Sequence, residues 1–387
     1  MITCPPKKRL FNVYNSIPIE LIKGYGAYLF DKNGQRYLDF YGGHAVISIG
    51  HLHSHYVKAL KSQINKITFY SNYVHIPHQE RLSELLCKVS GYEDYKLFLC
   101  NSGTESIENA LKIAYFHNSK KKIIAFKGSF HGRTSGSASI TDNPKILAPF
   151  NSKHEVLFLN YKDLFSVEKE LRKRNVCALI TEGIQGISGI IDPGDFFLRE
   201  VQNMCRHYET VFILDEIQSG YGRTGDFFAH HRSGINPDLI SIAKGMGNGF
   251  PIGGVLIHPK FEEFHGMLGS TFGGNYLACV AAIAVLEVIK NENLLKNVKI
   301  IGEELLKNLQ DIPHIEEIRG RGFMIGLRFN FPVKKLIEVL INKEKVFVGF
   351  SYDPYVLRLL PPLNITKDHV KLFIEKLLRS LESTIIK

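Results

Sequence analysis

From about residue 96 to residue 257 the chain alternates short apolar runs with longer segments of helical spacing. Val211–Leu214 and Leu239–Ala243 are continuous apolar runs, the pattern of strands buried on both faces. The stretch VCALITEGIQGISGI, 176–190, reads as another buried strand ending in polar residues. KLFLCNSGTESIENALKIAYF, 96–116, carries a strand, a tight turn and a helix on which Ile107, Ala110, Leu111 and Ala114 recur at helical spacing. KIIAFKGSFHGRTSGSAS, 122–139, reads as a strand and then a turn. This strand–helix alternation predicts a mostly parallel sheet covered by helices. Residues 78–90 have the periodicity of an amphipathic helix, and 276–290 and 294–309 read as long helices. Alternating apolar residues in 19–40 flank Asp31-Lys32-Asn33-Gly34 and predict a small antiparallel hairpin that packs with the C-terminal part. IRGRGFMIGLRF, 318–329, opens that C-terminal α+β part, and VLRLLPPLNIT places Arg358 on a strand just before Pro361-Pro362. There is no internal repeat and no low-complexity linker.

Length changes the picture by asking for two domains, since 387 residues exceed the roughly 250–300 at which one core stops growing. With 44% apolar and 22% charged residues the chain is an ordinary globular protein. No apolar run is long enough to span a bilayer, and MITCPPKKRLFNVY lacks the apolar segment of a secretory signal, so a cytoplasmic protein is expected. Six scattered cysteines (4, 87, 100, 177, 205, 279) without a CxxC pair fit reduced thiols, not a disulfide framework or a zinc site. The net charge of +10 could attract nucleic acid, but apart from Lys120–Lys122 the basic residues are spread out, and neither nucleic acid nor membrane is expected as a partner. His51, His53 and His55 alternate and on a strand would share one face. No carboxylate or cysteine accompanies them in sequence, so no metal is expected.

The chemistry concentrates in two stretches. In DLISIAKGMGNGFPIGG, 238–254, an apolar run ends at Lys244 and glycines follow. A lysine leaving a buried strand into such a turn can be held fixed and desolvated, and only the neutral amine attacks a carbonyl. Taken alone, the run is equally that of a surface lysine in a turn. In VFILDEIQSGYGRTG, 211–225, Asp215 stands at the carboxyl end of a strand, where open α/β sheets place ligands, and Gln218 follows. A carboxylate that pairs with a protonated pyridine nitrogen and an amine that reacts with the ring's aldehyde are the two protein groups that pyridoxal phosphate requires. Ser102-x-x-Glu105 has the form of a capping box, so 102–118 is an ordinary capped helix or an anion site at a helix start, where Gly103 admits a close approach.

LDEIQSGYGRTG, SIAKGMGNGFPIGG and STFGGN (270–275), in that order, resemble the class III aminotransferases of the type I pyridoxal-phosphate fold, and within them the acetylornithine and succinylornithine enzymes. The match runs from about Tyr14 to Ile365. The resemblance implies an α/β architecture with a large, mostly parallel sheet domain, helices on both faces, and a smaller α+β domain built from both chain ends: 1–45, 46–285 and 286–387. It implies pyridoxal 5'-phosphate as cofactor and Lys244, Asp215, Gln218 and Glu182 as the catalytic set. Ser102, Gly103 and Thr104 match the phosphate cradle, Phe130 the ring-stacking position, and Ser270-Thr271 a phosphate ligand donated by the partner subunit. That last match makes the expected assembly a homodimer with the active site at its interface. Arg133 matches the arginine for the donor's α-carboxylate, and Arg358 the one for glutamate and 2-oxoglutarate; a planar guanidinium meets a carboxylate bidentately. The positive net charge then suits an anionic cofactor and dicarboxylate substrates.

The implied reaction is transamination of an N-acylornithine with 2-oxoglutarate in arginine biosynthesis. Ornithine, acyl-lysine, succinyl-diaminopimelate or 4-aminobutyrate as donor, a glutamate-semialdehyde aminomutase-type isomerase, and a non-catalytic binding protein of the same fold are the rivals. Glu182 and Gln185 fit the family's pattern. Gly183 replaces its usual proline, and Ile187 replaces a glutamate that is expected to pair with the arginine at 358. Whether another carboxylate takes over that pairing is not legible in the sequence.

Overall fold

A computed structural model describes residues 11–385; Cys4 lies outside them. The N-terminal strands are β1 (Leu21–Tyr25), β2 (Tyr28–Asp31) and β3 (Arg36–Asp39). They form an antiparallel meander, one strand more than the expected hairpin, because Gly26 and Ala27 turn the chain once before the anticipated turn. At that turn Asp31 Oδ1 accepts the backbone N–H of Asn33 and of Gln35, both at 2.9 Å.

The central sheet contains β4 (Lys96–Cys100), β5 (Lys122–Phe126), β6 (Val156–Leu159), β7 (Val176–Glu182), β8 (Val211–Asp215), β9 (Leu239–Ile242) and β10 (Gly253–Ile257). Their spatial order is β4-β10-β9-β8-β7-β5-β6. Five strands run parallel, and β10 is antiparallel to both β9 and β4. Strand β7 stops at Glu182, earlier than its apolar run suggested, and 183–190 is irregular. Both faces of the sheet are covered. Val211 and Ile213 pack with Ile107, Ala110 and Ala114 of helix Gly103–Asn118, whereas Phe212 and Leu214 pack with Phe197, Leu198 and Val201 of helix Asp195–His207. That two-sided burial is why these strands read as unbroken apolar runs.

Beyond helices Tyr276–Asn291 and Leu294–Leu309 come β11 (Ile315–Arg321), β12 (Met324–Phe329), β13 (Val346–Phe347) and β14 (Val356–Leu359). A three-stranded sheet has the order β11-β12-β14, while β13 runs parallel to β3 and ties the two chain ends together. Among the described residues no helix is long and apolar enough to cross a membrane.

The three alternating histidines do not share a strand face. His51 sits in an isolated bridge, helix Ser54–Ile64 begins after His53, and each ring finds its own distant carboxylate. His51 pairs with Asp39, His53 with Glu292 and His55 with Glu287, at 2.8, 2.8 and 2.7 Å. The carboxylates that sequence spacing did not reveal come from elsewhere in the fold, one per ring.

Candidate active site

Parallel strands deliver their carboxyl ends to one edge of the sheet. There Glu182, the last residue of β7, lies in register with Asp215, the last residue of β8, and Asp215 with Ser241 of β9. Lys244 follows β9 after Ala243 and holds a left-handed backbone, φ +46°. A non-glycine residue there persists only where its surroundings hold it, and such strain gathers at functional positions. The Lys244 amine has no hydrogen-bond or ion-pair partner among the described residues. Burial pushes its pKa below the ordinary lysine value, against the opposing pull of Asp215 and Glu182.

Asp215 is 4% exposed. Its Oδ1 accepts the Ile217 backbone N–H at 3.0 Å, and its Oδ2 lies 2.8 Å from His131 Nδ1. His131 was missed in the sequence, although it stands in the same FHGR stretch as Phe130 and Arg133. Its Nε2 is buried without a protein partner. Glu182 accepts the N–H groups of Phe130 and Gly186 at 3.1 and 2.9 Å. Burial, with Asp215 adding to it, raises its pKa to about 7.

Helix Gly103–Asn118 begins beside this edge. Ser102 Oγ caps it by accepting the Glu105 N–H at 3.3 Å. The reciprocal arm differs from a capping box: Glu105 reaches past Ser102 to accept the N–H of Asn101 at 3.0 Å. A Cβ on Gly103 would stand 2.9 Å from the Ile217 side chain, which packs against the helix start from the loop after Asp215. Thr104 Oγ1 contacts Thr134 Oγ1 at 2.8 Å and Ser137 Oγ at 2.5 Å, knotting the helix start to the 130–137 loop. Gly132 turns that loop with φ +140° and leaves no space for a side chain beside Thr104. Arg133 is exposed, with its guanidinium 5.4 Å from the Phe130 ring centre.

Arg358, on β14, is 1% exposed. It donates from Nε to the Phe350 carbonyl and from Nη2 to Tyr41 Oη, the latter at 3.3 Å. Among the described residues no carboxylate oxygen lies within 4 Å of it, so no carboxylate has replaced the one absent at Ile187. A phenol stands there instead. Ile187 is half-buried and its carbonyl accepts the Tyr352 N–H at 2.8 Å. Gln218 spends its amide N–H on the His44 carbonyl at 3.1 Å. His44 and Ala45 are both left-handed, φ +68° and +65°, a conformation that costs roughly 1–2 kcal/mol per non-glycine residue.

The fold thus gathers Lys244, Asp215, Glu182 and Arg358, brings Phe130 to Glu182, and ties Ser102, Gly103 and Thr104 to the loop of Arg133. Ser270 and Thr271 are not gathered with Lys244. Ser270 Oγ accepts from Asn101 Nδ2 at 3.1 Å, and Thr271 is exposed. The residues present fit pyridoxal 5'-phosphate. A buried carboxylate braced by a histidine suits a ring N–H, a free amine with lowered pKa suits an aldehyde, and a glycine-lined helix start suits a phosphate.

Comparison with known proteins agrees. The sequence profile of the family described as "Aminotransferase class-III" matches residues 11–381. The acetylornithine aminotransferase of Methanosarcina acetivorans is 36% identical over 374 residues, covering 96% of this chain and 93% of that protein. The acetylornithine aminotransferase of Bacillus anthracis is 38% identical over 369 residues, covering 94% of each. Among solved structures, an ornithine aminotransferase from Toxoplasma gondii superposes with a TM-score of 0.90 at 27% identity, covering 97% of this chain and 92% of that one, and holds PLP at partial occupancy in its active site. The chain therefore belongs to the class III aminotransferases, enzymes that use pyridoxal 5'-phosphate to move an amino group between amino acids and oxo acids.

Proposed function

We infer that this enzyme transaminates an N-acylornithine, acetyl or succinyl, with 2-oxoglutarate, giving the N-acylglutamate semialdehyde and glutamate in the cytoplasmic synthesis of arginine. One observation carries the reading: among the described residues two guanidinium groups, exposed Arg133 and buried Arg358, have no carboxylate partner, and both stand near enough to His44 to act on it together with Lys244. Donor and acceptor each need a carboxylate seat at a different distance from the reacting carbon, because the donor reacts at its terminal amine and glutamate at its α-amine. Arg133 provides the far seat and Arg358 the near one. The acetylornithine relatives support the acylated donor.

Pyridoxal phosphate, when bound, supplies an aldehyde that exchanges amines and a ring that takes up the electron pair released when a proton leaves. Asp215 would keep a proton on the ring nitrogen, and His131, 2.8 Å away, braces Asp215. Lys244 would hold the aldehyde end, and its amine, with a pKa lowered by burial, would serve as the base and acid that moves a proton at the substrate carbon. Gln218 would hold the ring's phenolic oxygen and Phe130 would stack on the ring, its loop supported by Glu182, which accepts the Phe130 N–H. Ser102, Gly103 and Thr104 seat the phosphate, joined by Ser270-Thr271 of a second copy. Exposed Phe69 and Phe272, with ring centres 5.3 Å apart, and exposed Tyr73, next to the Asn72 that donates to the Ser270 and Gly273 carbonyls, support a homodimer built over that surface.

The test is a set of half-reactions, each with one amino donor alone and followed by the cofactor's absorbance. N-acetylornithine or N-succinylornithine should react at least tenfold faster than ornithine or 4-aminobutyrate. A faster reaction with either unacylated donor rejects the acyl reading. Borohydride should attach the cofactor covalently to Lys244, and attachment to another lysine in Lys244→Ala would reject the assignment of the amine.

A further inference from the structure

Lys244 leaves β9 on a left-handed backbone, and four residues on Asn248 takes the same conformation, with φ of +46° and +47°. Between them the chain closes a short turn. The N–H of Met246 donates to the Ala243 carbonyl and that of Gly247 to the Lys244 carbonyl, both at 3.0 Å. Glycines at 245, 247 and 249 give this stretch more backbone freedom than any other residue type would. A lysine kept in a left-handed conformation inside so pliable a turn needs a hold from outside it.

That hold comes from residues 48–50. Asn248 Oδ1 accepts the N–H of Ser48 at 2.8 Å and of Ile49 at 3.1 Å, and its Nδ2 donates to the Gly50 carbonyl at 3.0 Å. The Ser48 hydroxyl donates to the carbonyl of Gly245, the residue directly after the lysine, at 2.8 Å. The Tyr56 hydroxyl donates to the Gly247 carbonyl at 2.8 Å. The Asn248 and Ser48 side chains are buried, so without the amide three backbone groups would lose their partners away from water. The 48–50 segment is itself anchored. The Ser48 carbonyl accepts the Leu363 N–H at 2.7 Å, and buried Arg223 donates to the carbonyls of Ile47 and Pro361.

We propose that Asn248 is a positioning residue for Lys244: by clasping residues 48–50 with both ends of its amide, it fixes the turn from which the lysine amine meets the aldehyde of pyridoxal phosphate. Asparagine suits the place twice, since it tolerates the left-handed backbone and carries a donor and an acceptor on one short side chain. The proposal rests on the reading of Lys244 as the amine that takes the aldehyde, and is independent of the substrate.

Pyridoxine 5'-phosphate tests it, because it has the same ring and phosphate but an alcohol in place of the aldehyde, with which an amine cannot condense. Calorimetry on the apoenzyme gives the Kd of each compound, and the ratio of the two isolates what the lysine adds. Asn248→Gly removes the clasp and suits the left-handed backbone. Ser48→Ala removes the hydroxyl bonded to Gly245 and leaves the clasp. Wild type should bind pyridoxal phosphate at least about a hundredfold more tightly than the alcohol, and Asn248→Gly should shrink that ratio about tenfold. Ser48→Ala should shrink it about threefold, the effect of one hydrogen bond. The alcohol should bind both variants within about threefold of wild type, a result that a general loosening of the fold would not give. An undiminished ratio in Asn248→Gly overturns the role of Asn248 alone. Equal weakening of both compounds overturns positioning in favour of damage to the phosphate seat. If Asn248→Gly does not fold, an unchanged ratio in Ser48→Ala overturns the proposal. A wild-type enzyme that binds the two compounds equally overturns Lys244 as the reacting amine and this proposal with it.

Discussion

At the scale of single residues, the proposed sharing of one site by two substrates turns on Ile187 and Arg358. Arg358 is buried, cationic and faced by a phenol instead of a carboxylate. An incoming acid therefore breaks no ion pair to reach it. Ile187 neighbours the same corner through the Tyr352 N–H. Ile187→Glu should bring a competing carboxylate and lower kcat/KM for the glutamate half-reaction about tenfold, the effect of roughly 1.4 kcal/mol. The acylornithine half-reaction should change much less. Single-turnover absorbance with each donor alone measures both, and equal losses would count against the argument. The near absence of a counter-ion was foreseeable from Ile187. The phenol and imidazole that stand there were not, because Tyr41 and His44 are some 300 residues away in sequence from Arg358, and nothing local marks them as its neighbours.

At the scale of elements, the start of helix Gly103–Asn118 and the 130–137 loop form one hydrogen-bonded unit. Its parts are legible separately: a capped helix in one stretch, a turn in the other. Their joining depends on Gly132, where a Cβ would meet Thr104 Oγ1 at 2.4 Å and Ser137 Oγ at 2.6 Å. Gly132→Ala should open this knot and weaken pyridoxal phosphate by about tenfold or more, since 1.4 kcal/mol is a factor of ten. An absorbance titration of apoenzyme reads that affinity. Unchanged affinity would remove the loop from the cradle. The same logic explains the strand that β1 adds to the expected hairpin. Alternation shows that a segment is extended, but the number of strands depends on where the chain turns.

At the scale of the whole molecule, the site stores a cost that shows in stability against pH. Glu182 has a pKa raised from 4.5 to about 7, chiefly by burial. The folded apoenzyme thus holds this proton more tightly than the unfolded chain. The stabilisation is complete below about pH 4.5 and is lost as pH rises through about 7. At 1.36 kcal/mol per pKa unit it is on the order of 3 kcal/mol. Glu182→Gln has no such proton, so its stability relative to wild type should improve by about that amount between pH 5 and pH 8. Urea midpoints of the two apoenzymes supply the comparison. A pH-independent difference would mean that the carboxyl group is not held in its neutral form.

The chain by itself marked five strands of the central sheet and four of the longer helices, because apolar periodicity is a local property written residue by residue. It also marked Lys244, Asp215 and Glu182, since a parallel strand that ends in a polar residue presents that residue at a predictable edge. Tertiary structure alone decided what stands between these ends. The pairing of His131 with Asp215, the separate carboxylates for His51, His53 and His55, the reach of Glu105 to Asn101, and the phenol facing Arg358 all join groups whose meeting is set by packing. Hydrogen bonds act over about 3 Å, and sequence carries no such distance until the chain has folded.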